Sequence, residues 1–424
     1  MSALRRFKIS GRLGARARGA AMILPLLAAG SARADIITMA DIARGIVMTQ
    51  AQCAAIPQAV WIDVLGRNLC MRYYLSIAGG AGSRPVVFLQ GDLGFNVDPK
   101  TGAWLVPAGL PDTNTDDLVK YADQISKQQK TTAIYLARMG RDGSSGWHKQ
   151  RHTELEVQAT NAAVQAIKQR YGFEGFNVYG HSGGGNLVGG LLTLRNDIGC
   201  AVPADGVLAP GALAKAPDPA LQYFDSSAHV ATIAQNRAAR ILVVTDPKDT
   251  VVKIGNQLPF VEKLRKAGGQ VDQFMVAAAD EEHHFTTPHA EVVMTDCLAA
   301  ASHDAIAADL AKLDAGLIEA KARGEAKAGV RLPDAPAPAA GILLSGINLY
   351  GADYSSFWVE SPEPKLCQNA CRSEAKCAAW TYVQPGVQGK QARCWLKTRV
   401  PQQFQNQCCT SGVEHVAGNA GKKD

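Results

Sequence analysis

At 424 residues the chain is long enough for one large domain with a full hydrophobic core plus a second, smaller unit. Its formal charge of +6 comes from the N-terminus, where residues 1–34 carry seven basic and no acidic side chains, leaving about −1 on the rest. Nothing later forms a concentrated basic stripe with interleaved aromatics, so the composition argues against a nucleic-acid partner.

Arg5, Arg6, Lys8, Arg12, Arg16 and Arg18 precede the apolar run AAMILPLLAAG, and Ala32, Arg33 and Ala34 stand just before Asp35. This order predicts a signal peptide over 1–34, a mature chain starting at Asp35 and a periplasmic or extracellular location. The apolar run is about half the roughly 20 residues a membrane span needs, so no transmembrane segment is expected in the mature chain. Ten cysteines fit an oxidising compartment, with six of them (Cys367, Cys371, Cys377, Cys394, Cys408, Cys409) in the last 58 residues. Cys53 with Cys70 and Cys200 with Cys297 are pairs suggested by chain order, although sequence does not fix connectivity. The C-terminal spacing lacks the paired knuckles and histidines of zinc sites, and no metal or other cofactor is expected.

From about residue 56 to 300, short β-branched runs alternate with amphipathic stretches: PVVFLQ (85–90), TAIYLA (132–137), FNVYG (176–180), ADGVLAPG (204–211), ARILVVT (239–245) and QVDQFMVAA (270–278). That alternation predicts an α/β fold with a mostly parallel, doubly wound sheet. In ELEVQATNAAVQAIKQRYG the apolar residues fall near helical spacing and Gly172 can close the turn, which predicts a crossover helix. Beyond 300 an Ala- and charge-rich stretch predicts a helix to about Lys327. The large domain is thus placed at 35–328, a Pro/Ala linker at 329–341, a cysteine-dense unit at 342–416 and a disordered tail at 417–424.

The strongest motif is Gly180-His181-Ser182-Gly183-Gly184, between the strand FNVYG and the apolar stretch NLVGGLLTL. A sharp strand-to-helix turn that exposes a serine needs small neighbours, and the helix N-terminus favours developing negative charge. A serine hydroxyl also needs a histidine base, and the base needs a carboxylate. After ARILVVT comes Asp249, the predicted acid, with Asp246 as the alternative better suited to capping the turn. After QVDQFMVAA come His283 and His284; one is the base, with His284 preferred. His181 should diverge from Ser182 and bond locally. The backbone N–H groups of Gly183 and of Asp92, in the turn after PVVFLQ, are the candidates for an oxyanion hole.

These motifs, over about 80–300, resemble the α/β-hydrolase superfamily, although Gln90-Gly91 stands where many members have His-Gly. The run Arg138-Met139-Gly140-Arg141-Asp142-Gly143-Ser144-Ser145-Gly146 looks like a turn of prolyl-oligopeptidase-like and dienelactone-hydrolase-like members, and reads either as a substrate-facing loop or as a flexible one. The resemblance implies a serine hydrolase acting on a small-molecule ester or a peptide, with residues around 211–235 as a lid. The cysteine-dense unit is similar to PAN/apple modules, in Gly351-Ala352-Asp353-Tyr354, Cys367-x3-Cys371-x5-Cys377, Ala379-Trp380-Thr381-Tyr382 and Cys394-Trp395-Leu396-Lys397. That likeness implies Cys367–Cys394 and Cys371–Cys377 pairs and a protein or carbohydrate ligand, with Cys408 and Cys409 left open. A binding protein built on an inactive hydrolase scaffold is the rival reading; loss of the serine, histidine or acid would favour it, and all three are present.

Overall fold

The computed structural model describes residues 35–93, 96–97, 104–105, 112–210, 222–328, 330–331 and 338–414. The expected signal peptide and tail, most of the linker and residues 211–221 of the expected lid lie outside the described residues.

Eight strands form the main sheet: β1 (Ala59–Val64), β2 (Arg67–Ser76), β3 (Val86–Leu89), β4 (Ala133–Leu136), β5 (Phe176–His181), β6 (Ile198–Ala204), β7 (Arg240–Thr245) and β8 (Val271–Met275). Their spatial order is β8-β7-β6-β5-β3-β4-β2-β1. β2 runs antiparallel to both neighbours, and the pairs from β4 through β3, β5, β6 and β7 to β8 are all parallel. β1 and β2 form an edge hairpin around Leu65-Gly66, both at positive φ. One expected strand is displaced: 204–211 lies mostly after β6, not in it. At Asp205 the backbone turns to φ +40, and Gly206 and Pro210 follow, so the paired residues are the preceding IGCAVPA.

Strand side chains alternate between faces, and here each face has its own core. Val87, Leu89, Val178, Ile241 and Val243 pack with α2 (Glu154–Tyr171), α3 (Gly183–Leu194) and α4 (Leu258–Lys266) through Val164, Leu187, Leu191 and Phe260. Phe88, Tyr135, Tyr179, Leu242 and Val244 pack on the other side with α1 (Thr115–Gln129) and α5 (Thr287–Leu298) through Ile125, Val293 and Met294. The crossover helix α2 ends at Gly172, in the left-handed conformation at φ 70, as its glycine predicts. Cys53–Cys70 ties a short N-terminal helix to β2, and Cys200–Cys297 ties β6 to α5. A long helix, α6 (His303–Ala328), closes this part of the chain.

The C-terminal unit is an antiparallel sheet of β9 (Leu343–Leu349), β10 (Asp353–Val359), β11 (Ala379–Val383), β12 (Ala392–Lys397) and β13 (Gln403–Val413) with one helix, α7 (Pro364–Arg372); a sixth short strand, Val330–Arg331 from the expected linker, pairs antiparallel with β13. Cys367–Cys394 pins α7 to β12 and Cys371–Cys377 closes the turn after it, while Cys408 pairs with its neighbour Cys409. Trp380, Tyr382 and Leu396 fill the small core beside these cystines, a stabilisation that a unit of this size needs.

Candidate active site

Ser182 lies where β5 ends and α3 begins. Its φ of 55 and ψ of −120 place it in a strained conformation for a residue with a side chain, held by its N–H donating to the Ala204 carbonyl at 2.8 Å. The glycine two residues on is required by close approach: a Cβ on Gly184 would lie 1.9 Å from the Leu89 carbonyl oxygen. Gly183 opens α3, so its N–H belongs to the first turn, which has no intrahelical acceptor. Buried His181 does not bond locally as expected: its Nε2 lies 2.6 Å from the carbonyl oxygen of His284, 103 residues on, with the two rings 4.6 Å apart. Burial lowers its pKa to about 4, so it is neutral near pH 7. His181 thereby fixes the His284 segment beside the serine turn.

The loops after β7 and β8 form two parallel histidine–carboxylate pairs. His284 Nδ1 lies 2.7 Å from Asp249 Oδ2, while Asp249 Oδ1 accepts the N–H groups of Val251 and Val252 at 2.7 and 2.9 Å. His283 Nδ1 lies 3.0 Å from Asp246 Oδ2, which also accepts the Ala278 N–H at 2.7 Å; Asp246 Oδ1 accepts the Lys248 N–H at 2.8 Å. Asp246 therefore caps the turn and also holds a histidine. The His283 side chain is 33% exposed and the His284 side chain 15%. Asp280 accepts the N–H groups of His284 and Phe285 at 3.1 and 2.9 Å, and the two loops are joined by Thr250 N–H donating to the Glu282 carbonyl at 3.0 Å.

On the other side of Ser182 is the turn at Gln90, Gly91 and Asp92. The Asp92 carboxylate meets Arg138 Nη1 at 2.7 Å, Arg151 Nε at 2.9 Å and His152 Nε2 at 2.6 Å. Burial alone would raise its pKa, but the His152, Arg138 and Arg151 charges more than reverse this and hold it well below the usual carboxylate range. No acceptor among the described residues takes the Asp92 N–H. Arg138 also donates to the Gln90 carbonyl at 3.1 Å and forms a bidentate pair with Glu156 at 2.9 and 3.0 Å; Arg141 donates to the Gly91 carbonyl. The Arg138 to Gly146 run is thus largely buried and bonded inward, not a substrate-facing loop. Its Ser144 and Ser145 hydroxyls accept the N–H groups of Arg72 and Cys70 at 2.9 and 2.7 Å, and its arginines buttress the Asp92 turn.

One buried group escapes sequence reading. Asp205, at the end of β6, offers an oxygen within 4.8 Å of donor atoms of both Asp249 and His284. Its oxygens accept the Asp246 N–H at 3.0 Å and the Thr286 hydroxyl at 2.8 Å. With these bonds and the His284–Asp249 contact in place, the three side chains face one another as a hydrogen-bonded network, not as a set of free metal ligands. The available signal was an aspartate directly after the strands β6 and β7.

A strand order of 1-2-4-3-5-6-7-8 with only the second strand reversed, and a serine on the turn between strand five and its helix, define the α/β-hydrolase fold. Residues 347–397 match the family model for the PAN domain. Among solved structures, the esterase Pf2001 of Pyrococcus furiosus is 14% identical over 60% of this chain and 96% of that chain, with a TM-score of 0.42. Pyrococcus horikoshii acylaminoacyl peptidase is 14% identical over 57% of this chain and 40% of that chain, with a TM-score of 0.39. Est1E from Butyrivibrio proteoclasticus, with ferulic acid bound, is 14% identical over 57% and 97%, with a TM-score of 0.37. No curated protein matches the chain. In the PAN-like unit a cavity of about 710 Å³ is lined by residues including Tyr350, Arg393, Trp395, Lys397 and the Cys408–Cys409 cystine.

Proposed function

We propose that the chain is an exported serine hydrolase that cleaves an ester or amide through an acyl-enzyme on Ser182. The hydroxyl of Ser182 adds to the substrate carbonyl carbon as His284 takes its proton at Nε2. Asp249, bonded at Nδ1, fixes the tautomer and stabilises the imidazolium. The N–H groups of Gly183 and Asp92 donate to the developing oxyanion, helped by the α3 N-terminus. Collapse of the tetrahedral intermediate returns the proton from His284 to the leaving oxygen or nitrogen. Water then adds to the acyl carbonyl as the same histidine takes its proton, and collapse of that second intermediate breaks the bond to Ser182 Oγ, which recovers the proton from His284 as the acid leaves. No cofactor enters this sequence of steps. We place the hydrolase unit at 35–328 and, after the 329–341 linker, a binding or targeting unit at 342–416, its cavity suited to part of a protein or a carbohydrate.

The observation that carries this reading is the 2.7 Å His284–Asp249 contact beside a serine held at positive φ. His283 has a carboxylate too, so geometry favours His284 through its placement against His181 and its lower exposure. The test is fluorophosphonate labelling of the purified chain with mass mapping. Labelling at Ser182 that is lost in Ser182→Ala and His284→Ala supports the proposal. No labelling of folded protein would leave a non-catalytic binding protein on a hydrolase scaffold.

A further inference from the structure

Three aspartates meet at the ends of β6 and β7, and they are not equivalent. Asp249 has a histidine on one oxygen and two backbone N–H groups on the other. Asp246 has a histidine and two backbone N–H groups. Asp205 is fully buried and is given only neutral partners, one backbone N–H and one hydroxyl. Every other group facing it is accounted for: Asp246 and Asp249 from the loop after β7, and His284 and Thr286 from the loop after β8. Beyond these, His283 is engaged by Asp246, Asp280 by the His284 and Phe285 backbone, and His181 by the His284 carbonyl. Two imidazoles therefore serve three carboxyls, and no other cation approaches the third among the described residues.

We infer that Asp205 stands as a neutral carboxylic acid behind the His284–Asp249 pair, a positioning residue that ties the loop bearing Asp246 and Asp249 to the loop bearing both histidines without adding another negative charge to them. Like charges sharing a buried site cannot all ionise without cost, and the group without a charged partner is the one that keeps its proton. Burial first, and then the charges of Asp249 and Asp246, push its pKa up to about 8. The neutral acid still accepts the Thr286 hydroxyl on one oxygen and the Asp246 N–H on the other, so both loops stay anchored. Were it ionised, the charge would stabilise a resting imidazolium at His284, which cannot take the serine proton. The catalytic meaning rests on the hydrolase reading; the protonation state does not.

The test compares the full chain with Asp205→Asn, an isosteric neutral replacement, by thermal melting from pH 5 to 9. A folded-state pKa raised above the unfolded value means that stability is fully present below the unfolded pKa and is lost as pH rises toward the folded one. The parent should therefore lose melting temperature from pH 5 to about 8 and then level off, while the variant does not share this loss; the gap widens by several degrees. A gap independent of pH overturns the inference. In parallel, the profile of Ser182 labelling against pH should carry an inflection near pH 8 in the parent that vanishes in the variant. A loss of labelling beyond about a hundredfold in a variant that melts normally would mean that the charge is needed, and would also overturn it. If neither chain labels, the hydrolase reading fails and the melting series alone decides the protonation. If the variant does not fold, a ¹³C-carboxyl titration of aspartates in the parent decides instead: one resonance moving near pH 8 supports the inference, and all moving below pH 5 reject it.

Discussion

Breaking Cys200–Cys297 should be the most destabilising single loss among the two cystines of the large domain. It joins β6, five residues before Asp205, to α5, which follows the His284 loop, and the bridged residues are 97 apart in sequence. Chain-entropy arithmetic for a loop of that length gives about 4.7 kcal/mol, against about 3 kcal/mol for Cys53–Cys70, whose separation is 17. At about 2 °C per kcal/mol for a domain of this size, the melting temperature should fall by roughly 10 °C in Cys200→Ala/Cys297→Ala and roughly 6 °C in Cys53→Ala/Cys70→Ala. The assay is thermal unfolding by circular dichroism of both double variants, with reduced parent as the common limit. A larger fall in the Cys53/Cys70 variant would refute the argument, because it would show that loop length does not govern these bridges.

Substituting His284 by alanine should reduce fluorophosphonate labelling about a thousandfold or more, whereas His283→Ala should stay within about tenfold, as rate measurements on the two variants will show. Arg138→Met strands the fully buried Glu156 and removes a partner from Asp92; urea unfolding should show a loss of about 3–5 kcal/mol, and a loss below about 1 would contradict the buried-pair reading. Asp92 has a depressed pKa, so its contribution is present above the ordinary carboxylate range and lost as pH falls through the folded value. Melting temperatures of the parent and Asp92→Asn should accordingly converge as pH drops from 5 toward 2.

Much of the sheet was legible because buried parallel strands are short β-branched runs, and FNVYG, ARILVVT and PVVFLQ each became one. The edge hairpin was not, because β1 and β2 mix buried residues with the exposed Asp63, Arg67 and Asn68 and so break such runs. β6 was misplaced by a few residues because IGCAVPA carries glycine and proline, which read as turn, while its apolar successor VLAP lies past Asp205. The turn at Ser182 and the pairing of Asp249 with a downstream histidine follow from order and local spacing, and the structure brings His284 against Asp249. The seating of His181 against the His284 carbonyl was not legible, being a contact between residues 103 apart. The role of the Arg138 to Gly146 run was equally non-local: its glycines announce a loop, but only the fold shows its arginines turned inward.

The candidate site draws on loops that follow β3, β5, β6, β7 and β8, so its members span residues 92 to 284. Those contacts are of long sequence separation and close only when the edge strand β8 has docked on β7, which makes the site among the last features to form. On the proposed function, labelling of Ser182 would therefore report completion of the sheet.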